Sequence, residues 1–188
     1  MFIITGIVAA IAHGSADTYT FAILSALTFG MLGDFFLDWK ERKTFFLGVL
    51  FFTIGHLIYI YTFLIHLEPA LMPHWKNMLP GLIFILVAGA IQIKMDKIKF
   101  KGKYKVMILY AAILILSSVV AVSRGLLSIS IGNTVFGAIL SAAGVLFIIS
   151  DAFLASQLFG ESKVKHPEYF VALTYFPAQT LYALSICI

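Results

Sequence analysis

The sequence predicts an all-α fold, a polytopic membrane helical bundle that occupies residues 1–188 as a single integral membrane domain. The first observation is composition: 61% of the residues are hydrophobic and 12% are charged, whereas soluble domains have roughly 45–50% apolar and about 25% charged residues. The second is a mean hydropathy of +1.01. The third is that the apolar residues form long runs, which predict about seven transmembrane helices.

The first two runs differ in length. Phe2 to Ala12 covers only ~16 Å of a ~30 Å hydrocarbon core and predicts a short first helix. A signal peptide is the alternative, but the run lacks a basic n-region. Thr18 to Asp38 predicts a second span, which ends in the charged turn Asp38 to Lys43, and Thr44 to His66 predicts a third.

Two connecting segments separate the remaining spans. Leu67 to Met78 contains prolines and a tryptophan and is interpreted as an interfacial connection, whereas Lys94 to Lys105 is the most basic segment and is interpreted as a loop or turn. The predicted spans around them are the fourth, Leu79 to Ile93, the fifth, Tyr104 to Val122, the sixth, Asn133 to Phe159, and the seventh, Glu168 to Ile188.

The basic residues predict the orientation of these spans. The loops after spans two, four and six hold 11 of the 13 lysines and arginines, and the opposite face holds only Lys76 and Arg124. By the positive-inside rule, the N-terminus is cytoplasmic. The net charge of +4 therefore indicates topology and lipid headgroup contact, not nucleic-acid binding. We expect a bacterial inner (plasma) membrane protein; its oligomeric state cannot be read from the sequence.

Two carboxylates interrupt the apolar runs. Asp34 lies within Phe29 to Trp39 and Asp151 within Phe147 to Ala155. An ionisable group in a span is costly and by default suggests function. Both lie about 9–13 Å beneath the same charged edge, at 1.5 Å per residue. We expect both to face one cavity open to the cytoplasmic side, with carboxyl groups roughly 5–10 Å apart.

Polar side chains on the returning helices are expected at similar depths. Within spans three and seven they share helical faces, since two are spaced i, i+3 and two are spaced i, i+4. These side chains are candidates to bind the substrate or to orient the carboxylates: His56, Tyr59, Tyr110, Tyr175 and Gln179.

Several residues have plainer structural interpretations. Either aspartate can cap a helix or pair with a tyrosine or histidine, and a lone histidine such as His56 more often bonds a neighbour than a metal. Tyr59 and Tyr182 can be interfacial aromatics. The small-residue face of Gly137, Ser141 and Gly144 is best interpreted as helix packing.

Metal and cofactor chemistry are not expected. Catalytic zinc sites usually have more nitrogen ligands than His56 alone supplies. Cys187 is the single cysteine, so no disulfide or cysteine-based metal site is available. Ser150 precedes Asp151, but no Ser-His-Asp constellation or nucleophile elbow surrounds it, so a serine hydrolase is not indicated.

Four stretches resemble the YhhN family of membrane lysoplasmalogenases. They are GDFFL at Gly33 to Leu37, FLGVLFFTIGHLIYIYTF at Phe46 to Phe63, GVLFIISDAFLA at Gly144 to Ala155, and TYFPAQTLYALS at Thr174 to Ser185. The family usually has room for eight helices, one more than counted here. The resemblance implies a hydrolase of lipid metabolism that cleaves the vinyl ether bond of a lysophospholipid, with Asp34 and Asp151 as catalytic residues.

That chemistry suits two carboxyl groups. An apolar pocket favours a neutral carboxylic acid that can donate a proton, while a better hydrogen-bonded neighbour stays ionised. Two other classes remain open from the residues: a small proton-coupled transporter that uses the aspartates as a proton relay, and a structural or lipid-binding membrane protein.

The orientation is testable by cysteine labelling. A cysteine at position 99 should be protected from an impermeant maleimide added outside, and one at position 76 should react, because the charge split places these lysines on opposite faces. External labelling of position 99 in intact cells would contradict the predicted orientation.

Overall fold

The computed structural model describes residues 2–14, 16–39, 42–65, 105–159 and 166–188. Every regular element in these ranges is a helix and none is a strand, so the all-α prediction is confirmed there. The helices are α1 (Phe2–His13), α2 (Thr18–Asp38), α3 (Arg42–Ile65), α4 (Lys105–Ser130), α5 (Thr134–Phe159) and α6 (Pro167–Leu184), with a 3₁₀ turn at Ser185–Cys187.

Five of these helices, α2 to α6, are long and apolar enough to cross a bilayer. The first helix, α1, has 12 residues and is short for a span, as its sequence predicts. The described residues therefore support a membrane protein and do not confirm the predicted count of seven or eight helices. The predicted connection at 67–78, the fourth span at 79–93 and the basic segment from 94 lie outside the described residues.

The fifth predicted span is longer than its apolar run. Its helix, α4, continues to Ser130, eight residues beyond the expected end at Val122, so that boundary was wrong. The helix continues past Arg124, whose guanidinium lies 5.9 Å from the centroid of the Phe136 ring on α5. The Ser128 hydroxyl bonds the Arg124 carbonyl at 2.9 Å. The polar residues are thus accommodated within the helix.

The helices close into a ring. Each of α2, α3, α4 and α5 packs against the next helix in order, and α6 returns to contact α1 and α2 as well as α5. Consequently α6 packs against both α2 and α5, the helices that carry the two aspartates.

Small residues let α4 and α5 approach closely. A Cβ atom built on Gly125 would overlap the Ser141 side chain and the Gly137 carbonyl, and one built on Gly144 would meet Ala121 and the Ser118 carbonyl at 3.2 Å. The prediction that the small-residue face of α5 serves helix packing is confirmed.

Adding one methyl group at this contact should destabilise the bundle. Gly125→Ala is expected to lower the free energy of unfolding in detergent by about 1–3 kcal/mol through overpacking, which outweighs the ~1 kcal/mol that alanine gains over glycine in a helix. Ala142→Val, on an exposed position of α5, is the control and should change little. Equal stability of Gly125→Ala and the wild type would show that this contact is looser than described.

Candidate active site

Each intramembrane aspartate accepts a hydrogen bond from a tyrosine on another helix. The Tyr175 hydroxyl of α6 donates to Asp34 Oδ2 on α2 at 2.9 Å. The Tyr110 hydroxyl of α4 donates to Asp151 Oδ2 on α5 at 2.5 Å. Both tyrosines are buried and both aspartates are partly buried. Four helices therefore converge on two carboxylate–tyrosine pairs, which meets the requirement that buried charges be hydrogen-bonded.

The Tyr175–Asp34 pair is the end of a longer hydrogen-bond chain. The Tyr59 hydroxyl donates to Gln179 Oε1 at 3.0 Å, and Gln179 Nε2 donates to the Tyr175 hydroxyl at 3.2 Å. Tyr59 and Gln179 are only 2% and 1% exposed. Three successive bonds thus lead from the interior of the bundle to Asp34, and every donor in them points toward that carboxylate.

Helical spacing explains how these groups meet. Tyr175 and Gln179 are i and i+4 on α6, and Gly30 and Asp34 have the same spacing on α2, so each pair shares a face. A Cβ atom at Gly30 would lie 3.0 Å from Gln179 Nε2 and 3.6 Å from the Tyr175 hydroxyl. Gly30 therefore leaves room for the hydrogen-bonded side chains of Tyr175 and Gln179 to lie against α2. Sequence reasoning missed Gly30, although its position one turn before Asp34 was a usable signal.

Aromatic rings enclose the network. The Phe147 ring makes edge contacts with His56 and Tyr175, with centroid distances of 4.7 Å and 5.5 Å. Tyr59 stacks on Tyr182 at 4.4 Å, and both are buried, so the alternative that they are interfacial aromatics was wrong. Phe147 was also missed as a site residue, and only its place one turn before Asp151 pointed to it.

His56 lies beside Tyr110 and Phe147. Its ring is 3% exposed, its centroid is 6.1 Å from that of Tyr110, and its Nδ1 lies 3.2 Å from the Ser117 hydroxyl. Its Nε2 has no hydrogen-bond partner within the described ranges. Bonding to a neighbour is what the structural interpretation of His56 expects. Within the same ranges, no three His, Cys, Asp or Glu side chains are placed to hold a metal ion.

A cleft of about 510 Å³ opens beside Asp34. It lies where α2 and α5 end and α1 and α6 begin. The apolar lining residues are Phe2, Ile3, Met31, Val171, Ala172 and Phe176. The polar lining residues are Asp34, Asp38, Gln157, Glu168 and Tyr175.

Some of the site residues that were predicted from sequence line the cleft and others do not. Asp34 and Tyr175 line it, whereas Asp151, Tyr110, His56, Tyr59 and Gln179 are not among its described lining residues. The expected facing of Asp34 and Asp151 toward one cavity and their 5–10 Å separation stay predictions. One tyrosine-bonded carboxyl group thus lies at the cleft, and a second one lies on a neighbouring helix of α6; two such carboxyl groups are suited to acid–base chemistry.

Comparison with known proteins gives one match. The model of the YhhN family matches residues 1–186, nearly the whole chain. No curated protein and no solved structure gives a significant match. The resemblance expected from four short stretches therefore extends over all the helices described above.

The buried hydrogen-bond chain should be measurable as a coupling energy. Tyr59→Phe and Gln179→Leu remove the two partners of one bond, so together they should cost less than the sum of the single changes, by about 0.5–3 kcal/mol. The measurement is a double-mutant cycle on unfolding free energy in detergent. Ser25→Ala replaces Gln179→Leu in the control cycle, because Ser25 is exposed and bonds the Phe21 carbonyl of its own helix. Strict additivity in the first cycle would contradict the bond.

Proposed function

The chain belongs to the YhhN family, and on this premise we propose that it is a membrane lysoplasmalogenase. The proposed reaction cleaves the vinyl ether bond of a lysoplasmalogen to a fatty aldehyde and glycerophosphoethanolamine or glycerophosphocholine. The observation that supports it best is the pair of intramembrane aspartates, each bonded by a tyrosine, with one of them at the cleft. Such a pair supplies both a proton donor and an anion.

The reaction has two chemical requirements. A proton must be added to the β-carbon of the vinyl ether, which forms a C–H bond and leaves an oxocarbenium ion. Water must then add to the α-carbon and lose a proton, giving a hemiacetal. The hemiacetal breaks its C–O bond to glycerol and yields an aldehyde and an alcohol. The overall change is addition of one water, and no oxidant or reductant is needed.

Two carboxyl groups meet these requirements without another reagent. A protonated carboxyl delivers the first proton, and a carboxylate stabilises the cation and removes the proton from water. Glycosidases divide the same tasks between two carboxyl groups around an oxocarbenium-like transition state. Burial in the bundle favours the neutral form of one group, and hydrogen bonds favour the charged form of the other.

The cleft fits a single-chain lipid. Its volume of about 510 Å³ is within the ~300–1,000 Å³ range of ligand sites. Phe2, Met31 and Phe176 give it an apolar wall on which the alkenyl chain can lie. We propose that the substrate enters sideways from the cytoplasmic leaflet, because the cleft lies at the end of the bundle where α2 ends and α6 begins.

The direct test is aldehyde release. Purified protein in detergent or vesicles is incubated with lysoplasmenyl-ethanolamine, and the fatty aldehyde is quantified by mass spectrometry. The matching ester-linked lysophospholipid serves as the control substrate. Proton flux driven by a substrate, without any aldehyde, would favour a transporter and would overturn the proposal.

The two aspartates should both be needed for turnover. Asp34→Asn and Asp151→Asn keep the shape of the side chain but remove the transferable proton and the charge, so each should lower kcat by at least ~10²-fold. The double variant should be little worse than the poorer single one, because groups that act as a unit are strongly non-additive.

A matched control separates catalysis from folding. Asp17→Asn removes a carboxylate at the other end of the bundle, where Asp17 caps α2 by accepting a bond from the Thr20 backbone N–H at 2.8 Å. Asparagine caps about as well as aspartate, so its kcat per folded molecule should equal that of the wild type. Full activity in a well-folded Asp34→Asn or Asp151→Asn protein would remove that aspartate from the mechanism.

A further inference from the structure

The hydrogen-bond chain that ends at Asp34 has a fixed direction. The Tyr175 hydroxyl accepts a hydrogen bond from Gln179 Nε2, and it donates its own hydrogen bond to Asp34 Oδ2. A proton on Oδ2 would clash with the tyrosine proton, and a proton on Oδ1 would weaken the charge-assisted bond from Tyr175, so this bond favours the ionised form of Asp34. Gln179 is held in turn, since its Oε1 accepts the Tyr59 proton at 3.0 Å. The chain therefore fixes Asp34 Oδ2 as an acceptor, and successive bonds of one polarity strengthen each other.

Asp151 is held differently. Its Oδ2 accepts one bond from Tyr110 at 2.5 Å, and the Tyr110 hydroxyl has no second partner in the described part of the chain. A tyrosine hydroxyl can donate or accept, so Tyr110 can turn to accept a hydrogen bond from the hydroxyl of a neutral Asp151. Phe147 lies one turn before Asp151 on the same helix, and Asp151 is partly exposed although it is not among the described lining residues of the cleft beside Asp34.

From this asymmetry, and resting on the proposed function, we propose that Tyr59, Gln179 and Tyr175 are positioning residues that keep Asp34 as the anionic member of the pair, with Asp151 as the proton donor. In the proposed complex the vinyl ether extends from the cleft to Asp151, which protonates its β-carbon and becomes a carboxylate. Asp34 stabilises the resulting cation and takes the proton from the attacking water. The cycle closes when Asp34 loses this proton and Asp151 regains one by exchange with water.

Two other acidic side chains lie at the cleft beside Asp34. They are Asp38 and Glu168. Like charges favour the neutral form of a carboxyl group. The hydrogen bond from Tyr175 favours the charged form, and so does the water that the cleft admits. The three-bond chain is thus the feature of the fold that opposes these neighbouring charges.

Chemical rescue tests the assignment of roles. Asp34→Ala removes a carboxylate that lines the cleft, so formate can reach the vacated space. Formate is fully ionised at neutral pH and can replace an anion but not a proton donor. We expect formate to raise the kcat of Asp34→Ala by at least ~10-fold, part of the 10²–10⁴-fold that acid–base groups contribute. The rescue should be level between pH 6 and pH 8, and Asp151→Ala should show none.

The pH dependence of the rescue separates the two roles. If formate served as a proton donor, rescue would fall about tenfold per pH unit as the concentration of formic acid falls. Such a fall, the absence of rescue in Asp34→Ala, or rescue of Asp151→Ala instead would each overturn the assignment. Wild-type protein without aldehyde release would overturn the proposed function itself, and the assignment with it.

Variants of the residues in the hydrogen-bond chain test their positioning role while keeping both aspartates. They therefore also apply if Asp34→Ala does not fold. Tyr175→Phe should lower kcat by about 10- to 100-fold, and Gln179→Leu by about 3- to 10-fold. The KM should stay unchanged in Gln179→Leu because Gln179 does not line the cleft.

A matched tyrosine gives the control for these variants. Tyr182→Phe removes a hydroxyl from a buried ring stacked on Tyr59 that takes no part in the three bonds, and it should keep wild-type kcat. An unchanged kcat in Tyr175→Phe, or a change of KM alone in Gln179→Leu, would overturn the positioning role.

Discussion

A carboxyl group inside a membrane must be hydrogen-bonded, and the arrangement of this bundle depends on meeting that requirement twice. Asp34 on α2 accepts a hydrogen bond from Tyr175 of α6, and Asp151 on α5 accepts one from Tyr110 of α4. Leaving such a group without a partner costs several kcal/mol or forces it to stay neutral. The hydrogen bonds of Tyr110 and Tyr175 therefore add to packing in holding α4 and α6 in place.

Close packing makes those polar contacts possible. Small residues bring α4 against α5 at Gly125 and Gly137, and Gly30 lets the amide of Gln179 lie against α2. Without a strong hydrophobic force between helices in lipid, contacts of this kind carry much of the association. The ring is closed by α6, which contacts both α2 and α5. The single helix α6 thus contacts both the helix that carries Asp34 and the helix that carries Asp151.

How much of this could be predicted from sequence depends on the kind of residue. Asp34 and Asp151 were identifiable because an ionisable side chain in an apolar run is conspicuous, and Tyr175 because it shares a helical face with Gln179. Gly30 and Phe147 were missed because, in a chain that is 61% hydrophobic, small and apolar residues are common, and only their place one turn before an aspartate distinguished these two. The direction of the hydrogen bonds was equally hidden, since it depends on distances between helices far apart in sequence.

The central claim is that a carboxyl group of this bundle protonates the β-carbon of a vinyl ether. Turnover of lysoplasmenyl-ethanolamine in D₂O tests it most directly, with mass analysis of the aldehyde and the double Asp34→Asn, Asp151→Asn variant as the blank. The account predicts one deuterium on the carbon next to the aldehyde carbon, formed at a rate far above the blank. Aldehyde without that deuterium, or a rate equal to the blank, would contradict it.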